Sequence, residues 1–215
     1  MNSALAAQWH QLTTPILASE ARREATLQQL LAAYSKSGRH YHTLHHVQAL
    51  LDAVQRDAVT LHDLPVVQLA VWFHDAVYSP LRSDNETRSA ELALQFLAET
   101  TLEENRQQRV ALLIERTKDH TQAHPDDDTD LQLFLDADLS ILGASEKDYW
   151  QYARQIHAEY SIVPDMLYRQ GRRNVLEKLL TTPVLYRTAP YRDRLDAAAR
   201  RNLQAELHAW ENDGL

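Results

Sequence analysis

A chain of 215 residues, 44% hydrophobic and 24% charged, is long enough to bury a core without disulfides and too ordinary in composition to be disordered. Four glycines and no cysteine exclude a Gly-rich phosphate cradle, a G-x-S-x-G nucleophile elbow, thiol nucleophiles, iron–sulfur clusters, zinc fingers and disulfides. The net charge of −8 has the wrong sign for wrapping long nucleic acid, yet it allows a small phosphorylated substrate held by a few local cations.

In chain order, the N-terminus has no basic start, and its apolar run is broken by Gln8 and His10, so it does not read as a secretory signal. No apolar run is long enough to span a bilayer, and the expectation is a soluble, cytoplasmic protein without a membrane partner. The apolar spacing is helical almost throughout. Leu27, Leu30, Leu31 and Tyr34 form one stripe, Val110, Leu113, Ile114 and Thr117 a second, and Leu195, Ala199, Leu203, Leu207 and Trp210 a third. With seven prolines as breaks, the pattern predicts helices over 3–18, 20–36, 43–57, 64–77, 86–100, 103–118, 129–141, 145–161, 164–181 and 190–212. Asp84 and Ser145 read as N-caps. The acidic stretch 123–130 reads as a solvated connector; Leu131 stands where the glycine of an EF-hand would have to be. No repeat, linker or composition shift marks a boundary, so the expectation is one all-α domain, a single helical bundle.

Three segments break the amphipathic pattern. Arg39-His-Tyr-His-Thr-Leu-His-His46 opens the third helix and carries four of the chain's 11 histidines; on a helix, His42 and His46 would share a face. Val71-Trp-Phe-His-Asp-Ala-Val-Tyr78 ends an apolar run that must be buried, which leaves His74 and Asp75 at the end of a core helix. Leu133-Phe-Leu-Asp-Ala-Asp-Leu-Ser-Ile-Leu142 places Asp136 and Asp138 inside apolar sequence. A single buried histidine or aspartate is ordinarily a hydrogen-bonded core residue. Several of them on three apolar helices are costly to bury unless paired or neutralised by a bound cation. Mixed imidazole and carboxylate donors suit Mn, Fe, Co, Ni or Zn, with Mg admitted, one or two ions per chain. Four protein ligands would leave coordination positions for a water acidified towards neutral pH.

The ordered set of a histidine, the pair His74-Asp75 and a later aspartate on successive helices resembles the HD-domain metal-dependent phosphohydrolase superfamily. The wording Arg39-x-Tyr-His-x-x-x-His, Phe-His-Asp-Ala-Val-Tyr, Asp84-Asn-Glu, Phe-Leu-Asp-Ala-Asp-Leu-Ser-Ile-Leu-Gly and Gly171-Arg is similar to a branch of small bacterial predicted HD phosphohydrolases. The likeness covers roughly 20–206. It implies an all-helical bundle of the HD type and His46, His74, Asp75 and Asp138 as metal ligands, Asp138 being preferred to Asp136 for its Asp-Leu-Ser setting. It further implies His42 as the acid that protonates the leaving oxygen, and His120 as a ligand for a second ion. Cyclic nucleotides are not implied, because the rest of a cyclic-nucleotide phosphodiesterase domain is missing. Glu86 is expected either to orient the attacking water or simply to begin a capped helix. Arg39, Arg88, Lys118 and Arg172 are candidates for binding phosphate oxygens through charge-assisted hydrogen bonds, with a surface or ion-pair role as the alternative for any one of them. The activity so implied is metal-dependent hydrolysis of a small, nucleotide-like phosphomonoester or phosphodiester, by a monomer or homodimer. A di-iron oxygenase of the same superfamily and a non-catalytic metal-dependent binding module share these residues and stay open as alternatives.

Overall fold

The computed structural model describes residues 2–122 and 128–212. Among them every regular element is a helix: α1 (Asn2–Thr13), α2 (Glu20–Tyr34), α3 (Leu44–Arg56), α4 (Leu64–Phe73), α5 (Asn85–Leu97), α6 (Glu104–Arg116), α7 (Thr129–Asp138), α8 (Glu146–Glu159), α9 (Asp165–Thr181) and α10 (Ala189–Glu211), with a 3₁₀ segment at Leu139–Gly143 after α7. The all-α expectation is met. The elements group into two compact units, α1–α6 and α7–α10, with the boundary between Lys118 and Asp119. Most of the expected acidic connector, residues 123–127, lies outside the described residues; Asp128 caps α7 by accepting from the Leu131 amide at 3.1 Å, and the last two residues, Thr129 and Asp130, belong to α7, with Asp130 buried and not solvated.

The first unit is built around α4. The sequence LPVVQLAVWF has a single polar position, so no face of this helix can be left in water, and Val66, Val67 and every residue from Leu69 to Phe73 are fully buried. α1, α3, α5 and α6 pack against it. Trp9 of α1 fills the centre, its ring 5.3 Å from both Trp72 and Phe96, while its indole N–H donates to the Arg23 carbonyl at 3.0 Å. Asp63 caps α4 through the Val66 amide and is itself held by the Arg106 guanidinium, at 2.7 and 2.8 Å.

Several helices end short of the ranges that the periodicity predicts, three of them for visible local reasons. α1 stops at Thr13, two residues before Pro15, which has no N–H to continue it. α7 tightens into the 3₁₀ segment after Asp138. α4 stops at Phe73 rather than running to 77, and the cause is local chemistry. The Val71 carbonyl, which a continuing helix would offer to the Asp75 amide, accepts instead from His74 Nδ1 at 2.8 Å. The Asp75 N–H turns to the Tyr34 hydroxyl at 3.3 Å, and that hydroxyl donates to the Trp72 carbonyl at 3.1 Å.

In the second unit, α10 packs on the 3₁₀ segment, on α9 and on α8. The approach is close at Gly143, where a Cβ would lie 2.6 Å from Leu195 Cβ, so only glycine fits. Asn202 reinforces the contact by donating to the Leu142 and Ala144 carbonyls at 2.8 and 3.0 Å. The expected α10 stripe buries Ala199, Leu203 and Trp210, and with them Glu206, which hydropathy alone places outside.

Candidate metal centre

His46, His74 and Asp75 come together in the first unit, each offering one donor atom to a common point. α3 supplies His46, and the buried end of α4 supplies the other two. His46 Nε2 lies 3.2 Å from His74 Nε2, His74 Nε2 lies 3.1 Å from Asp75 Oδ2, and His46 Nε2 lies 3.9 Å from the same oxygen. A point equidistant from these three atoms sits about 2.0 Å from each, the length of a transition-metal bond to imidazole or carboxylate. The donor chemistry agrees. His74 Nδ1 donates to the Val71 carbonyl, which leaves Nε2 as the ring atom that faces the cluster and would hold an ion once that nitrogen gives up its proton. His74 is 1% exposed and His46 6%. Two imidazole nitrogens so close together are stable only with a proton or a cation between them. Burial pushes the Asp75 carboxyl up, but the charges of His74 and His42, the hydrogen bond from His74 and the charge of His46 outweigh it, and the group is held below the usual carboxylate range. A carboxylate that stays ionised beside two imidazoles is a donor set ready for a divalent ion.

His42 stands at the rim, its Nε2 4.0 Å from Asp75 Oδ2. It does not share a helical face with His46, as the four-residue spacing suggests: Thr43 is the N-cap of α3, its hydroxyl accepting from the His45 amide at 3.3 Å, and His42 precedes it. Aromatic contacts hold the ring instead. Tyr78 packs on it at 4.4 Å and Tyr41 meets it edge-on at 5.1 Å; Tyr41 also lies 4.9 Å from the His46 ring.

The loop carrying His42 turns at Gly38, whose φ of +88° favours glycine, and is clamped by Arg39. The Arg39 guanidinium donates to the His42 carbonyl at 3.0 Å and to the Ala76 carbonyl at 3.1 Å, and lies over the rings of Tyr34 and Tyr78. It therefore ties the loop before α3 to the turn after α4. Two residues that the sequence did not single out for a role secure that turn from α5. Asn85 accepts from the Ser79 amide at 3.1 Å and donates to its carbonyl at 2.9 Å, and the Ser89 hydroxyl does the same for Val77 at 3.0 and 3.2 Å. Their signal was the spacing: two small polar residues four apart on one face of a helix.

The neighbouring expectations fare differently. Asp84 occupies the N-cap position of α5 without capping it, because Arg82 takes both carboxylate oxygens at 2.7 and 2.6 Å. Glu86 is half-buried in the first turn of α5, and Arg88 is exposed on the same helix. Lys118 is exposed and donates to the Ser83 carbonyl at 2.8 Å. Ser145 caps α8 as expected, accepting from the Asp148 amide at 3.2 Å.

In the second unit the two aspartates of α7 separate cleanly. Asp136 is buried and saturated: it accepts from the Arg187 amide at 2.8 Å, the Thr188 amide at 2.7 Å and the Thr188 hydroxyl at 2.6 Å, at the start of α10. Burial nevertheless pushes its carboxyl up, the bonds from Thr188 and Arg187 opposing it. Asp138 is the aspartate that meets a histidine, with His120 Nε2 at 2.9 Å from its Oδ2. Arg172, a candidate for phosphate, is given to the core. Its Nε and Nη2 donate to the two oxygens of Glu206 at 2.7 and 2.8 Å, and Glu206 also accepts from Tyr149 at 2.5 Å and Trp210 at 3.2 Å. A buried fork whose partner is already bidentate has nothing to offer a ligand. Comparison of the chain with family models, curated proteins and solved structures gave no match.

Proposed function

We propose that the protein is a metal-dependent phosphohydrolase of the HD type, acting on a small, nucleotide-like phosphomonoester or phosphodiester. The observation that carries the reading is the convergence of His46, His74 and Asp75 on one point at metal-bond distance. The reaction class rests on the resemblance of the sequence motifs to HD phosphohydrolases. His46 Nε2, His74 Nε2 and Asp75 Oδ2 are the atoms that would hold the ion. A divalent ion in such a site supplies Lewis acidity to a phosphoryl oxygen and acidifies water.

The chain's own residues do the rest. The Val71 carbonyl keeps His74 in the tautomer that donates from Nε2. His42, 4.0 Å from Asp75 and packed on Tyr78, is the proton donor for the leaving oxygen. Arg39 and Asn85 keep the two segments bearing these groups in register. No helix of the described residues is long and apolar enough to cross a membrane.

The test is a hydrolysis screen. Protein stripped of metal is reloaded separately with Mn, Fe, Co, Ni, Zn or Mg and offered aryl phosphates, aryl phosphodiesters and a nucleotide panel. Turnover that requires an ion and disappears in His74→Ala is the expected result. Full metal loading with no hydrolysis of any substrate, or turnover unchanged in His74→Ala, contradicts the proposal.

A further inference from the structure

We infer that Tyr34, backed by Arg39, is a positioning residue for the candidate metal centre, acting through the backbone of Asp75. The inference rests on the metal reading above and deepens it.

Nothing in the sequence sets Tyr34 apart from a core aromatic on the apolar stripe of α2. Its ring is buried, with 1% exposure, but its hydroxyl does work that no core residue requires. When His74 Nδ1 takes the Val71 carbonyl, the Asp75 amide loses its helical acceptor, and the Trp72 carbonyl in the last turn of α4 loses its helical donor, because the Ala76 amide turns to the Phe73 carbonyl at 2.9 Å. The Tyr34 hydroxyl answers both, accepting from Asp75 at 3.3 Å and donating to Trp72 at 3.1 Å. One oxygen thus replaces the helical bond that the ligand His74 displaces, and it fixes the backbone from which the ligand Asp75 projects. Arg39 closes the arrangement from outside, with its guanidinium 5.0 Å over the Tyr34 ring and one N–H on the Ala76 carbonyl, the residue after Asp75.

Removing the hydroxyl alone leaves the Asp75 N–H to compete with His74 Nδ1 for the Val71 carbonyl. The cost falls on the tautomer of one ligand and the backbone of another, while the packing of the ring is kept. Partners one step removed from a metal are typically worth about 10- to 100-fold in affinity.

The experiment titrates Co(II), whose visible spectrum reports its ligands, into metal-free wild type, Tyr34→Phe, Arg39→Met and, as control, Tyr149→Phe. Tyr149 loses a comparable buried hydrogen bond, to Glu206 in the second unit. Tyr34→Phe is expected to weaken Co(II) binding about 10-fold or more and to change the visible spectrum, with Arg39→Met shifting both in the same direction. Tyr149→Phe is expected to lower thermal stability and leave the Co(II) spectrum as in wild type. Should Tyr34→Phe not fold, Arg39→Met carries the test. A role for Arg39 in phosphate binding alone would raise KM without moving Co(II) affinity, and would overturn its part. Wild-type affinity and spectrum in Tyr34→Phe overturn the inference. Wild type that binds no Co(II) overturns the metal reading itself.

Discussion

His42 and Asp75 are 4.0 Å apart, and their roles separate by what each is attached to. Asp75 is one of the three converging donors, whereas His42 is held by Tyr78 and Tyr41 and contributes no atom to that point. His42→Ala is therefore expected to keep metal stoichiometry and affinity while lowering kcat by about 10²- to 10⁴-fold, the usual worth of a general acid. Metal analysis beside steady-state kinetics checks this; loss of the ion together with activity would make His42 a ligand. Asp119 gives a prediction of a different kind. Burial pushes its carboxyl up, but hydrogen bonds from Lys178 and Thr121 dominate and bring it down to about 2. With the folded value below the ordinary value of 3.8, the native state favours the carboxylate. The stabilisation is present above about pH 4 and is lost as pH falls towards about 2. Urea unfolding across that range should show a shallower decline for Asp119→Asn than for wild type, by a small amount because the group is partly exposed.

At the scale of elements, the ten helices were legible because apolar periodicity and proline placement are local signals. What the periodicity could not show was where a polar side chain competes for a backbone group. α4 ends early because His74 takes the Val71 carbonyl, and Asp84 fails to cap because Arg82 takes its carboxylate. Such contests depend on neighbours in space or on rotamers, neither of which is written in spacing. The His74-Asp75 pair was legible because two ionisable groups ending a run of core residues is anomalous in any fold. Apolar context alone did not separate Asp136 from Asp138, and only the motif resemblance preferred Asp138; which of the two is saturated is decided by the residues just before α10. Arg172 and Glu206 were misleading for the same reason: each looks solvated in its own helix, and they meet only because α9 packs on α10. Glu206→Gln is expected to cost about 3–5 kcal/mol, because it leaves the Arg172 charge buried without its partner. Replacing both residues with methionine should cost less than the single change. Equilibrium unfolding of both variants checks this, and a single-variant cost under about 1 kcal/mol would show that the pair is not buried as described.

For the molecule as a whole, an ion that binds only the folded chain adds to its stability. At a free concentration one hundred times Kd the gain is about 2.7 kcal/mol. For a chain of this size that is a rise in Tm of about 5–10 °C, readable by calorimetry with and without Mn or Zn. The rise should vanish in His46→Ala, which loses a donor. An equal rise in wild type and variant would place the ion elsewhere. The acidic net charge of −8 makes this control necessary, because exposed carboxylates attract divalent ions without any built site.

The most direct measurement is a calorimetric titration of Mn and Zn into metal-free wild type, His46→Ala, His74→Ala and Asp75→Asn. One saturable ion held by wild type, and weakened about 100-fold or more in each of the three variants, is the result that shared coordination by His46, His74 and Asp75 predicts. An affinity in wild type no greater than in the variants would contradict it, and with it the proposal that this chain is a metal-dependent phosphohydrolase.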